Sequence, residues 1–178
     1  MELDGDWTEL VREPMVEGIF YPADPGELGA RIGKLLSQSS VVPQNCDLIV
    51  SPHASYDFAG NVMADAFKAA AGGHPKRIIL VAPCFHSRES LIYLPESAVF
   101  RTPLGDCRVD MDGVDSLLDT STLIQKNDLP HLQEHAIEVQ LPFIQYLFPE
   151  SHVLPILVGT SSDKVFRALI AGLTINFP

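Results

Sequence analysis

The segment that decides the fold is residues 47–60, which read DLIVSPHASYDFAG. It opens with Leu48-Ile49-Val50, three apolar residues that predict a short strand. A turn carrying His53, Tyr56 and Asp57 follows, and a helix is predicted to begin near Gly60. Ligands of open α/β sheets bind in the crevice beyond the carboxyl ends of the strands. The turn at His53 is therefore the first candidate site.

A second unit of the same kind follows along the chain. The apolar run Ile78-Ile79-Leu80-Val81 predicts another strand, and Cys84 and His86 lie just beyond its end. Apolar residues at helical spacing in residues 62–70 predict a connecting helix, so the unit is β-α-β with parallel strands. Two histidines past two strand ends predict one crevice, whereas the alternative is that His53 only caps a turn.

Composition limits the class of protein. The chain has 178 residues, of which 46% are hydrophobic, so residues 1–178 are expected to form a single globular domain. The formal net charge of -11 argues against nucleic acid or an anionic membrane as the main partner, since both recruit basic patches. The apolar runs are too short for a membrane span, and the acidic N-terminus is unlike a signal peptide. Three cysteines without zinc-site spacing favour a reducing cytoplasm.

The flanking regions predict further elements. Asp24 suits a helix N-cap, Pro25 suits the first helical position, and Glu27 completes a capping box. Short strands are predicted on both sides of a turn at Thr102-Pro103-Leu104-Gly105, and a short helix at residues 114–118.

Residues 129–148 predict a helix that Pro142 breaks, unless that proline lies in a first turn. His131 and His135 are four residues apart, as are Glu134 and Glu138, so each pair would share a helical face. A histidine pair at this spacing can bind metal, and the alternative is a solvated acidic face.

The last elements predicted are a strand and a helix. Residues 153–158 form a buried strand in which Pro155 indicates a sheet edge or a bulge. Ser161 or Ser162 caps a final helix, and the apolar ending at residues 175–178 predicts the entry to another strand. The inward face of that helix is expected to carry Val165, Phe166, Leu169, Ile170 and Leu173.

Four segments, in this order, carry a family resemblance: GIFYP at residues 18–22, PHASY at 52–56, TPLG at 102–105 and EHAIEVQLPF at 134–143. Together they resemble the Memo family, whose fold is similar to the LigB-like fold of class III extradiol dioxygenases. The resemblance implies an α/β fold whose central, largely parallel or mixed sheet has helices on both faces. It also implies a metal-site crevice, which holds non-haem iron in the dioxygenases. It further implies a small molecule or a peptide as crevice ligand, and radical-SAM and AMMECR1-type proteins as neighbours of bacterial members.

Carried over residue by residue, His53 matches the first metal histidine, and His135, with Glu134 beside it, matches a third histidine of the pocket. The second ligand is displaced: the chain reads Ala82-Pro83-Cys84-Phe85-His86, so Phe85 occupies the usual histidine position and His86 comes one residue late. The chain also ends before the family's Ser-Ser-Asp-x-x-His motif and its ligand cysteine, and is therefore expected to lack the C-terminal part of the fold.

Two functions compete at this stage. In the first, an incomplete crevice binds iron or zinc for a redox-related role, with His53, His86 and Cys84 as ligands. His135 and Glu134 would be its catalytic groups, and Tyr56, Asp57 and Glu138 would line the pocket. In the second, the chain binds a peptide or protein without metal. Ring cleavage is not expected, because that chemistry needs three anchored ligands. A third possibility is a fragment with no independent function. Exposed apolar surface beside the strand at Val153 would favour a homo-oligomer.

Overall fold

A computed structural model describes residues 10–160 and 162–177. Within them the chain is mixed α/β, as the sequence predicts, and forms two sheets. The strands are β1 (Val11–Arg12), β2 (Arg77–Pro83), β3 (Ile92–Leu94), β4 (Val99–Thr102), β5 (Gly105–Arg108), β6 (Ile124–Lys126) and β7 (His152–Val158). The helices are α1 (Pro25–Gln38), α2 (Tyr56–Ala70), α3 (Met111–Leu118), α4 (Asp128–Gln133), α5 (Leu141–Leu147) and α6 (Asp163–Asn176), with a 3-10 turn at Glu138–Gln140.

Both sheets mix parallel and antiparallel pairs. The smaller has the order β1-β4-β5, with β1 parallel to β4 and β4 antiparallel to β5. Gly105 opens β5 at φ +114°, a conformation that glycine adopts without the strain of a side chain. The larger has the order β2-β7-β3-β6, in which only the β3–β7 pair is antiparallel. The short strands predicted around Thr102 and Gly105 are therefore confirmed.

Strand β7 lies inside the larger sheet, so the prediction that Pro155 marks an edge or a bulge was wrong. The carbonyl of Val153 accepts from Asp110, away from β2, and residues two apart in a strand point to the same side. The backbone of Pro155 therefore faces away from β2, so the N–H that proline lacks is not needed for the β2–β7 pairing. On that side β3 pairs only with Leu157 and Val158, so no ladder bond is lost at Pro155.

The helix predicted from Asp24 is confirmed. The Asp24 carboxylate accepts from the Glu27 amide at 2.9 Å, and Pro25 opens α1. Helices α1, α2 and α5 pack against one another, and α3 packs against α6. The rings of Phe67 on α2 and Phe143 on α5 stack with their centroids 5.2 Å apart. This aromatic pair forms part of the apolar contact between α2 and α5.

The strand predicted at Leu48-Ile49-Val50 is not formed, so the expected β-α-β unit is absent from the described chain. Leu48 is 83% exposed and Val50 is 89% exposed. Strand formation depends on a partner, and β2 pairs with β7 instead. Helix α2 begins at Tyr56, four residues before the predicted start at Gly60, because Ser55 already adopts the extended cap conformation.

The single helix predicted over residues 129–148 is divided. Helix α4 ends at Gln133, Glu134 is extended, and α5 begins at Leu141 with Pro142 in its first turn. His131 and His135 therefore share no helical face, and neither do Glu134 and Glu138. The helix ends here because the Glu134 carboxylate accepts hydrogen bonds from the amides of His135 and Ala136. These bonds replace the ones that the two amides would make to backbone carbonyls in a continuous helix.

The final helix is confirmed, with two corrections. Ser162 caps α6 by accepting from the Val165 amide, while Ser161 and Pro178 lie outside the described residues. Val165 and Leu169 are buried, but Phe166 and Ile170, predicted to face inward, are exposed. Ile175 and Asn176 still belong to the helix, so the predicted entry to another strand is wrong for them. Fewer apolar residues of α6 are buried than its sequence pattern predicts, because α6 packs mainly against one helix, α3.

Candidate functional site

A cleft of about 660 Å³ contains the two histidines that the sequence singles out. The ring centroids of His53 and His135 are 5.8 Å apart, and both side chains are partly buried. The rest of the lining is mostly apolar: Ile19, Phe20, Pro52, Ala54, Ser55 and Phe58. We call this space the histidine cleft. Among the residues that line it, only the two histidines have nitrogen atoms in their side chains.

Hydrogen bonds to the two ends of the loop hold His53 in position. The Pro52 carbonyl accepts from the Gln140 side chain at 2.9 Å, and the Tyr56 amide donates to the Phe20 carbonyl at 2.8 Å. The buried Tyr56 hydroxyl donates to the Val139 carbonyl at 2.9 Å. The loop is therefore attached to the 3-10 turn on one side and to the lead-in on the other.

His135 is positioned by Glu134, which is buried. One carboxylate oxygen of Glu134 accepts from the amides of His135 and Ala136, at 2.9 and 3.1 Å, and lies 3.5 Å from His135 Nδ1. The other oxygen accepts from the Phe85 amide at 3.0 Å. Phe20 packs edge-on against the His135 ring, with centroids 4.8 Å apart. One carboxylate thus joins the Phe85 loop to the His135 loop.

Glu138 is buried and its carboxylate is committed to structural contacts. It forms a 2.5 Å ion pair with Arg12 and accepts from the amides of Met15 and Val16. The Tyr21 hydroxyl also donates to it, at 2.6 Å, and burial together with this carboxylate raises the pKa of Tyr21. Glu138 therefore anchors β1 and the lead-in to the 3-10 turn.

The other predicted pocket residues also lie outside the lining of the histidine cleft. Tyr56 is buried in the core, where desolvation raises its pKa. Asp57 is at the surface, 2.9 Å from the Arg31 guanidinium. Tyr56 thus supports the loop around His53, whereas Asp57 joins the start of α2 to α1.

The displaced ligand motif places Phe85 beside His53. The two ring centroids are 5.5 Å apart, and Phe85 is 62% exposed. His86, one residue later, is exposed and does not line the cleft, while Cys84 is buried with its amide bonded to the Val158 carbonyl. Among residues 10–160 and 162–177, no three His, Cys, Asp or Glu side chains gather closely enough to hold an ion. Of the predicted ligands and catalytic histidines, only His53 and His135 line the histidine cleft.

Sequence reasoning missed Phe20 and Gln140. Gln140 is buried, and no residue pattern indicated that its side chain would hold the loop at Pro52. Phe20 belongs to the GIFYP segment that carried the family resemblance, but nothing in that segment indicated contact with a histidine 115 residues away. Phe85 did have a signal, because the resemblance places it in the position of the second ligand.

A second cavity, of about 670 Å³, lies between residues 45–51 and the whole of β2. Its floor is apolar and includes Phe67, Ala70, Ile137 and Phe148, and Gln140 also lines it. His53 lines both cavities, so the two are neighbours. We call this second cavity the strand slot.

The model of the family described as Memo-like protein matches residues 12–174. Three similar relatives carry the name "MEMO1 family protein". One from Thermotoga neapolitana is 32% identical over 172 residues, which cover 90% of this chain and 62% of the relative. One from Ignicoccus hospitalis is 31% identical over 176 residues (92% and 62%), and one from Desulfurococcus amylolyticus is 34% identical over 170 residues (89% and 60%).

The chain thus spans about three fifths of the length of the curated relatives it matches. In the part of the chain that the structure describes, the helices are too short or too polar to cross a bilayer. The family match extends over both sheets and over the loops that carry His53 and His135. This chain belongs to the family of Memo-like proteins.

Proposed function

We propose that this chain binds a divalent transition metal in the histidine cleft, with His53 and His135 as ligands. The observation that carries the proposal is the 5.8 Å separation of their ring centroids. A zinc–imidazole bond of about 2.0 to 2.1 Å puts each ring centroid about 3 Å from the ion, so two ligands of one ion lie about 5 to 6 Å apart. The observed separation falls in that range.

The donors also limit the choice of metal. Neutral imidazole suits zinc, iron, copper and nickel better than magnesium or calcium, which prefer oxygen. Glu134 lies near Nδ1 of His135, and a carboxylate in that place favours the proton on Nδ1 and leaves the Nε2 lone pair for a metal. In this role Glu134 is a positioning residue.

Ring cleavage is not part of this proposal. That reaction needs three anchored protein ligands with open positions on iron, and the proposal assigns two. Phe85 fills the side of His53 where a second ligand would be expected from the family pattern. A bound metal would supply Lewis acidity in an apolar cleft, while this chain's residues bind and orient it.

Isothermal titration of metal-stripped protein with zinc, and with iron(II) without oxygen, tests the proposal. We expect His53→Ala and His135→Ala each to weaken binding by at least about tenfold, a typical loss for a disturbed metal site. His152→Ala is the matched control, because His152 is exposed at the start of β7 and should bind as the wild type does. Stoichiometric binding that survives both cleft substitutions would contradict the proposal.

The alternative function is a binding module that acts without metal. The strand slot favours it, because unpaired backbone beside apolar surface is what an extended peptide recognises. Peptide binding that is unchanged by chelators would support this alternative, and binding that requires zinc would assign it to the metal site.

A further inference from the structure

We propose that Gln140 is a positioning residue, which sets the separation of His53 and His135 and thereby the preference of the histidine cleft for one metal over another. This role rests on the proposed metal site. It follows from the two hydrogen bonds of one carboxamide nitrogen, from the orientation of that carboxamide, and from the rigidity of the backbone that carries it.

The carboxamide nitrogen of Gln140 lies between the two segments that carry the histidines. It donates to the Pro52 carbonyl at 2.9 Å and to the Ala136 carbonyl at 3.3 Å. Pro52 directly precedes His53 in the chain. Ala136 directly follows His135. A single amino group therefore bonds to the residue next to each proposed ligand, and it fixes how closely the two backbones approach.

The orientation of this carboxamide is determined by the same two bonds. Gln140 is 7% exposed, and its Oε1 has no hydrogen-bond partner among the residues that the structure describes. Buried acceptors in folded proteins are almost always satisfied. Turning the carboxamide over would place Oε1 against two carbonyl oxygens, which cannot donate. The bonds to the histidine segments thus hold the side chain in this orientation, although its oxygen is left without a partner there.

The backbone that carries Gln140 is held firmly. Its amide donates to the Ile137 carbonyl at 3.0 Å, and the Val139 amide donates to the His135 carbonyl at 3.1 Å. The Tyr56 hydroxyl donates to the Val139 carbonyl at 2.9 Å. The amino group therefore projects from a fixed 3-10 turn. Loss of the carboxamide should move the two histidine segments rather than the turn.

The separation that Gln140 sets bears on the choice of metal. The centroids of the His53 and His135 rings are 5.8 Å apart, near the upper end of the range of about 5 to 6 Å for two ligands of one zinc ion. Selectivity among metals that share the same donors depends on geometry. Cadmium is a larger ion than zinc and forms longer bonds to nitrogen, so it tolerates a wider separation. Gln140 should therefore favour zinc over cadmium.

Nuclear Overhauser effects between the ring protons of His53 and His135 test the positioning role in metal-free protein. At a centroid separation of 5.8 Å the wild type should show a cross-peak between the two rings. Gln140→Met keeps the length of the side chain and removes both donors. Its cross-peak should lose most of its intensity, because the effect falls steeply with distance.

Competition titrations with zinc and cadmium test the metal preference. Gln140→Met should weaken zinc binding by at least about tenfold, the typical loss when a hydrogen-bond partner of a metal site is removed, and cadmium binding by clearly less. A general loss of packing would instead weaken both metals equally. Thermal melting checks that the variant folds, and Gln140→Glu, which also lacks the donors, takes its place if it does not.

Gln145→Met is the matched control. The Gln145 carboxamide is also held on both sides, since it donates to the Gly105 carbonyl at 3.0 Å and accepts from the Thr102 hydroxyl at 2.6 Å. Gln145 does not line the histidine cleft. Its substitution should therefore leave the cross-peak and both metal affinities as in the wild type.

Two outcomes would overturn the inference. They are a cross-peak that keeps its full intensity in Gln140→Met, and an equal loss of zinc and cadmium affinity. A wild type that binds neither metal would refute the proposed function and with it the metal preference. The cross-peak would still decide whether Gln140 sets the separation of the two histidines.

Discussion

The buried ion pair between Arg12 and Glu138 provides the sharpest test of how this structure is held together. Arg12 is 1% exposed and Glu138 is equally buried, with 2.5 Å between Nη1 and the carboxylate. Glu138→Ala would leave the guanidinium without a counter-charge and would also leave the Tyr21 hydroxyl and two backbone amides without their acceptor. Breaking a buried pair on one side costs about 3 to 5 kcal/mol.

That loss is large against the stability of a typical domain, which is about 5 to 15 kcal/mol. For a chain of this size it corresponds to a fall in Tm of about 6 to 20 °C. Urea unfolding followed by circular dichroism measures the free energy of unfolding directly. Glu138→Gln keeps one acceptor oxygen and should lose less.

The matched control is Glu13→Ala, which removes an exposed carboxylate from a 2.7 Å contact with Arg101. It should leave the urea midpoint within experimental error, since exposed pairs contribute little. A double variant, Arg12→Met with Glu138→Gln, should lose less stability than the sum of the two single changes, because the residues share one network. If Glu138→Ala behaved like Glu13→Ala, the assignment of Glu138 to the core would be refuted.

Three further predictions concern other buried groups. Burial lowers the pKa of His131 to about 4, below its usual 6.5, so the unfolded chain binds a proton that the folded chain does not. Stability should therefore fall as pH drops from about 6.5 toward 4, by up to about 3 kcal/mol, and urea titrations of His131→Gln should show a flatter dependence. A thiol reagent should titrate one cysteine, Cys46, in the native protein and three after denaturation, because Cys84 and Cys107 are buried and burial raises the pKa of Cys107 to about 12; three reactive thiols in the native state would contradict the packing. Phe143→Ala should cost about 3 to 5 kcal/mol in chemical denaturation, since the ring is fully buried against Phe67 and Tyr56, whereas Phe166→Ala on the exposed face of α6 should cost far less.

The sequence predicts elements well where their signals are local. The cap at Asp24 and the turn at Gly105 depend on neighbouring residues, and the structure has both. The strand at Leu48-Ile49-Val50 depends on a partner strand that residue patterns do not reveal, and it does not form. The helix predicted through residues 129–148 ends early because the Glu134 side chain bonds to the backbone just beyond it, a contact that apolar spacing does not indicate.

In the candidate site, too, some features could be predicted and others depend on long-range contacts. The family resemblance predicted that His53 and His135 share one crevice, and their rings lie 5.8 Å apart. The position of His86 depended on how a loop absorbs one extra residue, which only the three-dimensional arrangement shows. Gln140 and Phe20 contact the site through long-range packing, so no local pattern indicated them.

The Glu134 carboxylate has a consequence for motion around His53. One of its oxygens accepts from the Phe85 amide, and the other accepts from the amide of His135. The rings of Phe85 and His135 both lie beside the ring of His53. The walls on either side of the imidazole therefore cannot separate independently, because a displacement of one withdraws a hydrogen-bond acceptor from the other. The Phe85 loop and the His135 loop should accordingly move together, because both are hydrogen-bonded to the Glu134 carboxylate.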